Sequence, residues 1–151
     1  MKKYRGLGLF VFVVSALAPC YAHHLAVVVN QENTVQSVSS ADLAKMFKGE
    51  SKRWPDGLDV VIVLQGANGE ITKGEMDTLL RLNKMTDAQL RALLADHKNS
   101  IVIVASDAAV LKQVQSTKGA IGLVDVRSIT GKIKVLKVDG RLPLEHGYLP
   151  H

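Results

Sequence analysis

The side chains able to do chemistry gather at turns, and the richest turn is Gln65-Gly66-Ala67-Asn68-Gly69-Glu70, which follows an apolar run and precedes a helix beginning near Thr72. Glycine ahead of a helix N-terminus leaves backbone N–H groups and a positive dipole end unmet, an arrangement that holds phosphate without a cation. Gln65, Asn68, Gly69, Thr72 and Lys73 would form that cradle. The plainer alternative is a flexible βα loop that needs glycine for its turns, and Glu70 sets a negative charge where an oxyanion would dock. Ser106 opens the next helix, at the same end of the sheet if the strands run parallel, with a plain N-cap as its alternative role. Asn30 and Asn33 follow the first apolar run, the end at which ligands of open α/β sheets collect, although loop asparagines also satisfy local backbone groups. Trp54, in a turn, either stacks on a partner or covers the core.

Catalysis has little to build on. There is no Gly-x-Ser-x-Gly, no His-Glu-x-x-His, no phosphate-binding Walker loop and no dinucleotide fingerprint. Asp56, Asp59, Asp125 and Asp139 occur at turns or strand ends, where solvated aspartates are common, and no acid/base pair is legible. The expectation is a protein that is not an enzyme, with no cofactor and no metal site of a familiar kind. His23 and His24 raise one separate possibility. A chain starting at His23 would carry a free α-amino group beside an imidazole, a chelate suited to Cu(II), but it needs a further ligand such as His97 or His146. The competing view is a frayed terminus.

The start of the chain explains why His23 matters. Lys2, Lys3 and Arg5 precede the apolar run Leu7 to Ala18, and Cys20-Tyr21-Ala22 sets small residues at both positions that a signal peptidase reads for a cut before His23. The run is too short to span a bilayer. Leu17-Ala18-Pro19-Cys20 is spaced like a lipobox, which would make Cys20 a lipid anchor, though proline directly before the cysteine fits that poorly. With the cut after Ala22, residues 1–22 are a signal peptide, 23–151 form a single domain, and the only cysteine is removed. The signal takes three of the 19 basic residues and none of the 14 acidic ones, so the basic overall balance gives no argument for nucleic acid. A periplasmic location, with no membrane span after signal removal, is the expectation.

The elements that position the loops read as follows. Leu25 to Val29 is a short strand buried on both faces, and Asn30 to Ser40 is a loop. Ser39-Ser40-Ala41-Asp42 starts a short helix with Leu43, Met46 and Phe47 on one face and Gly49 as its stop. Trp54-Pro55-Asp56-Gly57 has turn chemistry and leads into a strand from Asp59 to Leu64. Met76, Leu79 and Leu80 mark the helix after the glycine loop, and Thr86-Asp87-Ala88-Gln89 is a capping box for the next. Ile101 to Ala105 is a third buried strand, followed by a helix capped by Ser106, a strand from Ala120 to Val124, and an edge strand from Lys132 to Val138 with one wet face. From Asp139 the chain reads as an irregular tail. Strands alternating with helices predict an α/β three-layer sandwich around a mainly parallel sheet.

Two of these segments carry a resemblance. Ser40 to Gly49, then Arg53-Trp54-Pro55-Asp56-Gly57 and a Val/Ile strand, resemble the second lobe of the phosphate-binding proteins of ABC transporters, in which a helix ending Phe-x-Gly precedes a tryptophan turn. Gly119-Ala120-Ile121-Gly122-Leu123-Val124 is similar to the family's late glycine-flanked strand. The resemblance covers roughly residues 25 to 148 and implies the fold of one lobe of a type 2 periplasmic binding protein. It implies a small anion such as phosphate as ligand, with an ABC permease or a second copy closing over it. In that family an arginine and a Ser-Gly-Thr helix start hold the anion; here Gln65 falls about where the arginine would be, and no Ser-Gly-Thr occurs. The alternative is an interaction or sensor module of the cell envelope that kept the fold and lost the ligand.

Overall fold

The computed structural model describes residues 24–150, so the expected signal segment, Cys20 and His23 lie outside the described residues. Six strands form the main sheet: β1 (Leu25–Asn30), β3 (Val61–Ala67), β4 (Glu70–Ile71), β5 (Ile101–Val104), β6 (Ala120–Asp125) and β7 (Ile133–Val135). Across the sheet the order is β4 and β5 along one edge of β3, then β3, β6, β1 and β7. A separate two-stranded pair, β2 (Ser37–Val38) with β8 (Lys137–Val138), closes one end.

The continuous apolar runs are buried on both sides because helices cover both faces. α1 (Ser40–Phe47), α2 (Lys73–Asn83) and α3 (Asp87–Asp96) pack on the face presented by Val27, Val29, Ile62, Leu64, Ile121 and Leu123. α4 (Asp107–Ser116) packs alone on the face of Val28, Val63, Ala120 and Val124 through Val110, Leu111 and Val114. Period-two alternation along each strand feeds these two cores. Gly122 lets α4 approach closely, since a Cβ there would stand 2.7 Å from Val110 Cγ1. Ser39, Thr72, Thr86 and Ser106 are the four helix N-caps, each accepting a backbone N–H from the first turn.

The three-layer sandwich is the predicted one, and β3, β5, β6 and β7 share a single direction. β1 and β4 oppose it. The reversal of β1 corrects one expectation: its carboxyl end, with Asn30, lies at the opposite end of the sheet from Gln65 and Ser106. The segment 65–70 also differs from a flexible loop. β3 continues to Ala67 and returns as β4 through a two-residue turn in which Asn68 and Gly69 both have positive φ, 53° and 81°, the geometry that favours Asn-Gly in tight hairpins. Gly66 is required there because a Cβ would meet the Glu70 carbonyl oxygen at 1.9 Å.

The last predicted strand divides at Leu136, for a reason that lies in the tail. Val28 pairs with Val135, so the next ladder bonds fall between Val27 and Leu136. The Leu136 N–H does donate to the Val27 carbonyl, at 2.9 Å. The return bond is replaced by Tyr148, whose hydroxyl accepts the Val27 N–H at 3.0 Å and donates to the Leu136 carbonyl at 2.7 Å. Tyr148 and Leu149 are buried, and burial raises the tyrosine hydroxyl to about 12. Residues beyond Asp139 are thus irregular, as expected, but they form a strap locked onto the first strand.

Candidate functional site

A cleft of about 670 Å³ opens where β3 and β6 end and β1 begins, between the N-termini of α2 and α4. This is the end of an open α/β sheet at which ligands collect. Gln65, Thr72 and Gly74 line one wall, and Asp107, Asp125 and Arg127 the other.

At its floor is Glu75, which is 2 % exposed. Thr72-x-x-Glu75 has the spacing of a capping box, in which the glutamate would reach back to the Thr72 N–H. That N–H is already donated to the Gln65 carbonyl in the hairpin, at 2.9 Å. Glu75 Oε2 instead accepts the Gln65 N–H at 2.8 Å. Burial pushes the Glu75 carboxyl up to about 8; the Gln65 N–H opposes that rise and the nearby Asp107 carboxylate adds to it.

Across the cleft, Asp107 Oδ2 accepts the Asp125 N–H at 3.1 Å. Asp125 is held in turn by a two-pronged ion pair with Arg127, with Nε to Oδ1 at 2.9 Å and the second guanidinium nitrogen to Oδ2 at 2.7 Å. Asp125 also caps a 3₁₀ turn (Val126–Ser128), and that turn brings Arg127 and Ser128 to the rim. The cleft is therefore rich in acceptors, and its arginine is engaged with one of its own carboxylates.

The residues singled out from sequence divide by place. Gln65 and Thr72 line the cleft, and Lys73 lies beside it on the exposed first turn of α2. Ser106 is an exposed N-cap whose Oγ accepts the Ala109 N–H at 3.1 Å, next to the cleft residue Asp107. Asn68 and Gly69 form the hairpin turn, and Gly69 borders a different groove with Arg91. Asn30 is 5 % exposed at the far end of the sheet, where its Nδ2 donates to the Val114 and Gln115 carbonyls and so caps the end of α4. Asn33 turns its Oδ1 to the Val35 N–H. Sequence reasoning missed Glu75, Asp107, Arg127 and Ser128 as a group; only the Thr72-x-x-Glu75 spacing pointed toward one of them.

The two segments that carried the resemblance meet each other, away from this cleft. Trp54 is 2 % exposed and its indole N–H donates to the Gly119 carbonyl at 2.9 Å. Gly119 itself lies against Asp59, where a Cβ would come within 1.9 Å of the carbonyl oxygen. The tryptophan covers the core and ties the turn to β6.

Solved structures with the same arrangement are phosphate receptors by description. An ABC-type phosphate transport receptor from Vibrio cholerae matches with a TM-score of 0.63 and 19% identity, over 80% of this chain and 48% of its own. PstS from Borrelia burgdorferi matches with a TM-score of 0.64 and 18% identity, over 80% of this chain and 49% of its own. A phosphate binding protein from Stenotrophomonas maltophilia matches with a TM-score of 0.62 and 17% identity, over 80% of this chain and 40% of its own. The chain has the fold of one lobe of a phosphate-binding protein. It spans about half the length of these structures or less. No protein-family model matches it, and no curated protein matches it in sequence. At this identity the likeness speaks for the fold, and the ligand must be argued from the cleft. Among the described residues no helix is long and apolar enough to cross a membrane.

Proposed function

We propose that the chain is an exported, non-enzymatic interaction or sensor module of the cell envelope, one that keeps a solute-binding fold without holding an oxyanion. The observation that carries this reading is the Glu75 carboxyl group accepting the Gln65 N–H. A backbone donor that an oxyanion would need at this sheet end is already taken by an internal carboxyl group, and Asp107 and Asp125 line the same space. An added anion would have to displace Glu75 from the Gln65 N–H and would sit beside the Asp107 carboxylate, which costs binding energy unless a cation offsets it. Arg127 is already engaged by Asp125. What the cleft offers instead is a set of acceptors, suited to N–H, hydroxyl or cationic groups of a partner. Export to the periplasm rests on Met1 to Ala22 being a signal that is cut before His23.

One feature favours a second reading, in which phosphate or a similar small oxyanion is held weakly and the chain is linked to an ABC transporter. α2 begins at Lys73, so the N–H groups of Lys73 and Gly74 have no acceptor within the helix, and Gly74 lines the cleft. A single lobe covers only one side of a ligand, so useful affinity would need a permease or a second copy to close the other side. Calorimetry of the mature protein with phosphate and with sulfate separates the two. The first reading expects no heat and no melting shift at millimolar ligand; saturable phosphate binding lost in Gly74→Pro would overturn it and establish the second.

A further inference from the structure

Among the described residues β5 (Ile101–Val104) pairs with β3 alone, so its other side is an open sheet edge. The register fixes which backbone groups face that edge. The Ile62 N–H donates to the Ser100 carbonyl at 2.8 Å, and Ile62 lies opposite Ile101. Alternate residues of a strand face the same neighbour, so Val102 and Val104 turn their backbone groups to β3 while Ile101 and Ile103 turn theirs outward. The Ile101 N–H is met by the His97 carbonyl at 3.1 Å. The Ile101 carbonyl, both groups of Ile103 and the N–H of Ala105 remain along the edge. β5 also lacks the devices that blunt an edge. It is uncharged and free of proline, whereas β7, at the other edge of the sheet, carries Lys134 and follows Lys132.

We infer that this edge is a self-association surface, to which a second copy of the chain adds its own β5 antiparallel about a two-fold axis at Ile103, making one continuous sheet. In that register the two Ile103 residues exchange N–H and C=O, and each Ala105 N–H reaches the Ile101 carbonyl of the other copy. The open groups of one copy, two donors and two acceptors, thus meet the same groups of the other, the self-complementarity that a two-fold interface requires. Charge agrees with it. Lys98 is the charged residue nearest the start of β5 and Asp107 the one nearest its end, so antiparallel pairing sets the positive end of each copy beside the acidic end of the other. On the α2–α3 face, Ile101, Ile103, Met76 and Leu94 line an open groove of about 490 Å³, and the paired Ile103 side chains would meet over it. The two carboxyl-end clefts then lie at opposite ends of the joined sheet, so the inference does not depend on what those clefts hold.

The test is sedimentation velocity of the exported protein from about 20 μM to about 1 mM, with residue-resolved amide exchange by NMR at both ends of that range. A reversible monomer–dimer equilibrium is expected, with a Kd below about 100 μM. The Ile103 and Ala105 N–H groups should exchange at least about threefold more slowly in the concentrated sample, while those of Val102 and Val104, bonded to β3, are protected in both. Ala105→Pro deletes one donor per copy and no hydrogen bond within the chain, so association should weaken about tenfold. The exchange readout needs the parent protein alone and holds whether or not the variant folds. A monomer throughout the range overturns the inference. So does a dimer whose Ile103 and Ala105 exchange as fast as in the dilute sample, or one that a folded Ala105→Pro forms as tightly as the parent.

Discussion

Glu75 is the residue at which local sequence rules and the fold part company. Its spacing from Thr72 marks a capping box, but the hairpin uses the Thr72 N–H first and redirects the carboxylate to Gln65. The carboxyl is raised from an ordinary 4.5 to about 8. A raised acid holds its proton longer in the folded than in the unfolded protein, so folding takes up a proton between those two values. Its contribution is complete below 4.5 and is lost as pH rises through about 8. Glu75→Gln keeps an acceptor for the Gln65 N–H and removes the titration. The variant should match the parent at about pH 4 and exceed its stability by about 2–4 kcal/mol at about pH 9. Denaturant melts of both proteins across that range would measure it; parallel curves would show that Glu75 titrates normally. Trp54 teaches the complementary lesson. The residue that best announces the fold from sequence is buried against Gly119 and takes no part in the cleft.

At the scale of elements, the sequence was most readable where one short-range rule decides the outcome. The Thr86 to Gln89 capping box, the Ser39 and Ser106 caps and the buried strands stand where their residues place them. The Asn68-Gly69 hairpin was legible too, since that dipeptide between apolar runs is a strong turn signal, but the expectation of a phosphate loop obscured it. The direction of β1 was not legible, because a run buried on both faces looks the same in either orientation. Neither was the break at Leu136, which depends on a tyrosine twelve residues away. Tyr148→Phe removes the bridging hydroxyl and leaves the Val27 N–H and Leu136 carbonyl without it. A loss of about 1–3 kcal/mol is expected, seen as a melting temperature lower by roughly 5–10 °C. A fall below about 2 °C would mean that Val27 and Leu136 close the ladder directly.

For the whole molecule, fold and ligand separate cleanly. The residues that carried the sequence resemblance, Phe47, Gly49, Trp54 and Gly119, belong to packing: Gly49 has a φ of +71° and lies against the His97 ring, where a Cβ would come within 2.6 Å. The cleft is built from residues that no local pattern grouped, Glu75, Asp107, Asp125 and Arg127, drawn from three separate stretches of sequence. The position of β1 has a further consequence, for the order in which the chain can fold. The first strand to be made sits between β6 and β7, and Tyr148 seals it, so the centre of the sheet waits for the last third of the chain. Contacts across such sequence distances form slowly. A fragment ending at Ser116 should therefore show no cooperative unfolding transition, and a sharp calorimetric melt from it would refute this. If residues 1–22 do route the chain through a membrane, a domain that cannot close before its final residues arrive stays threadable for the whole passage.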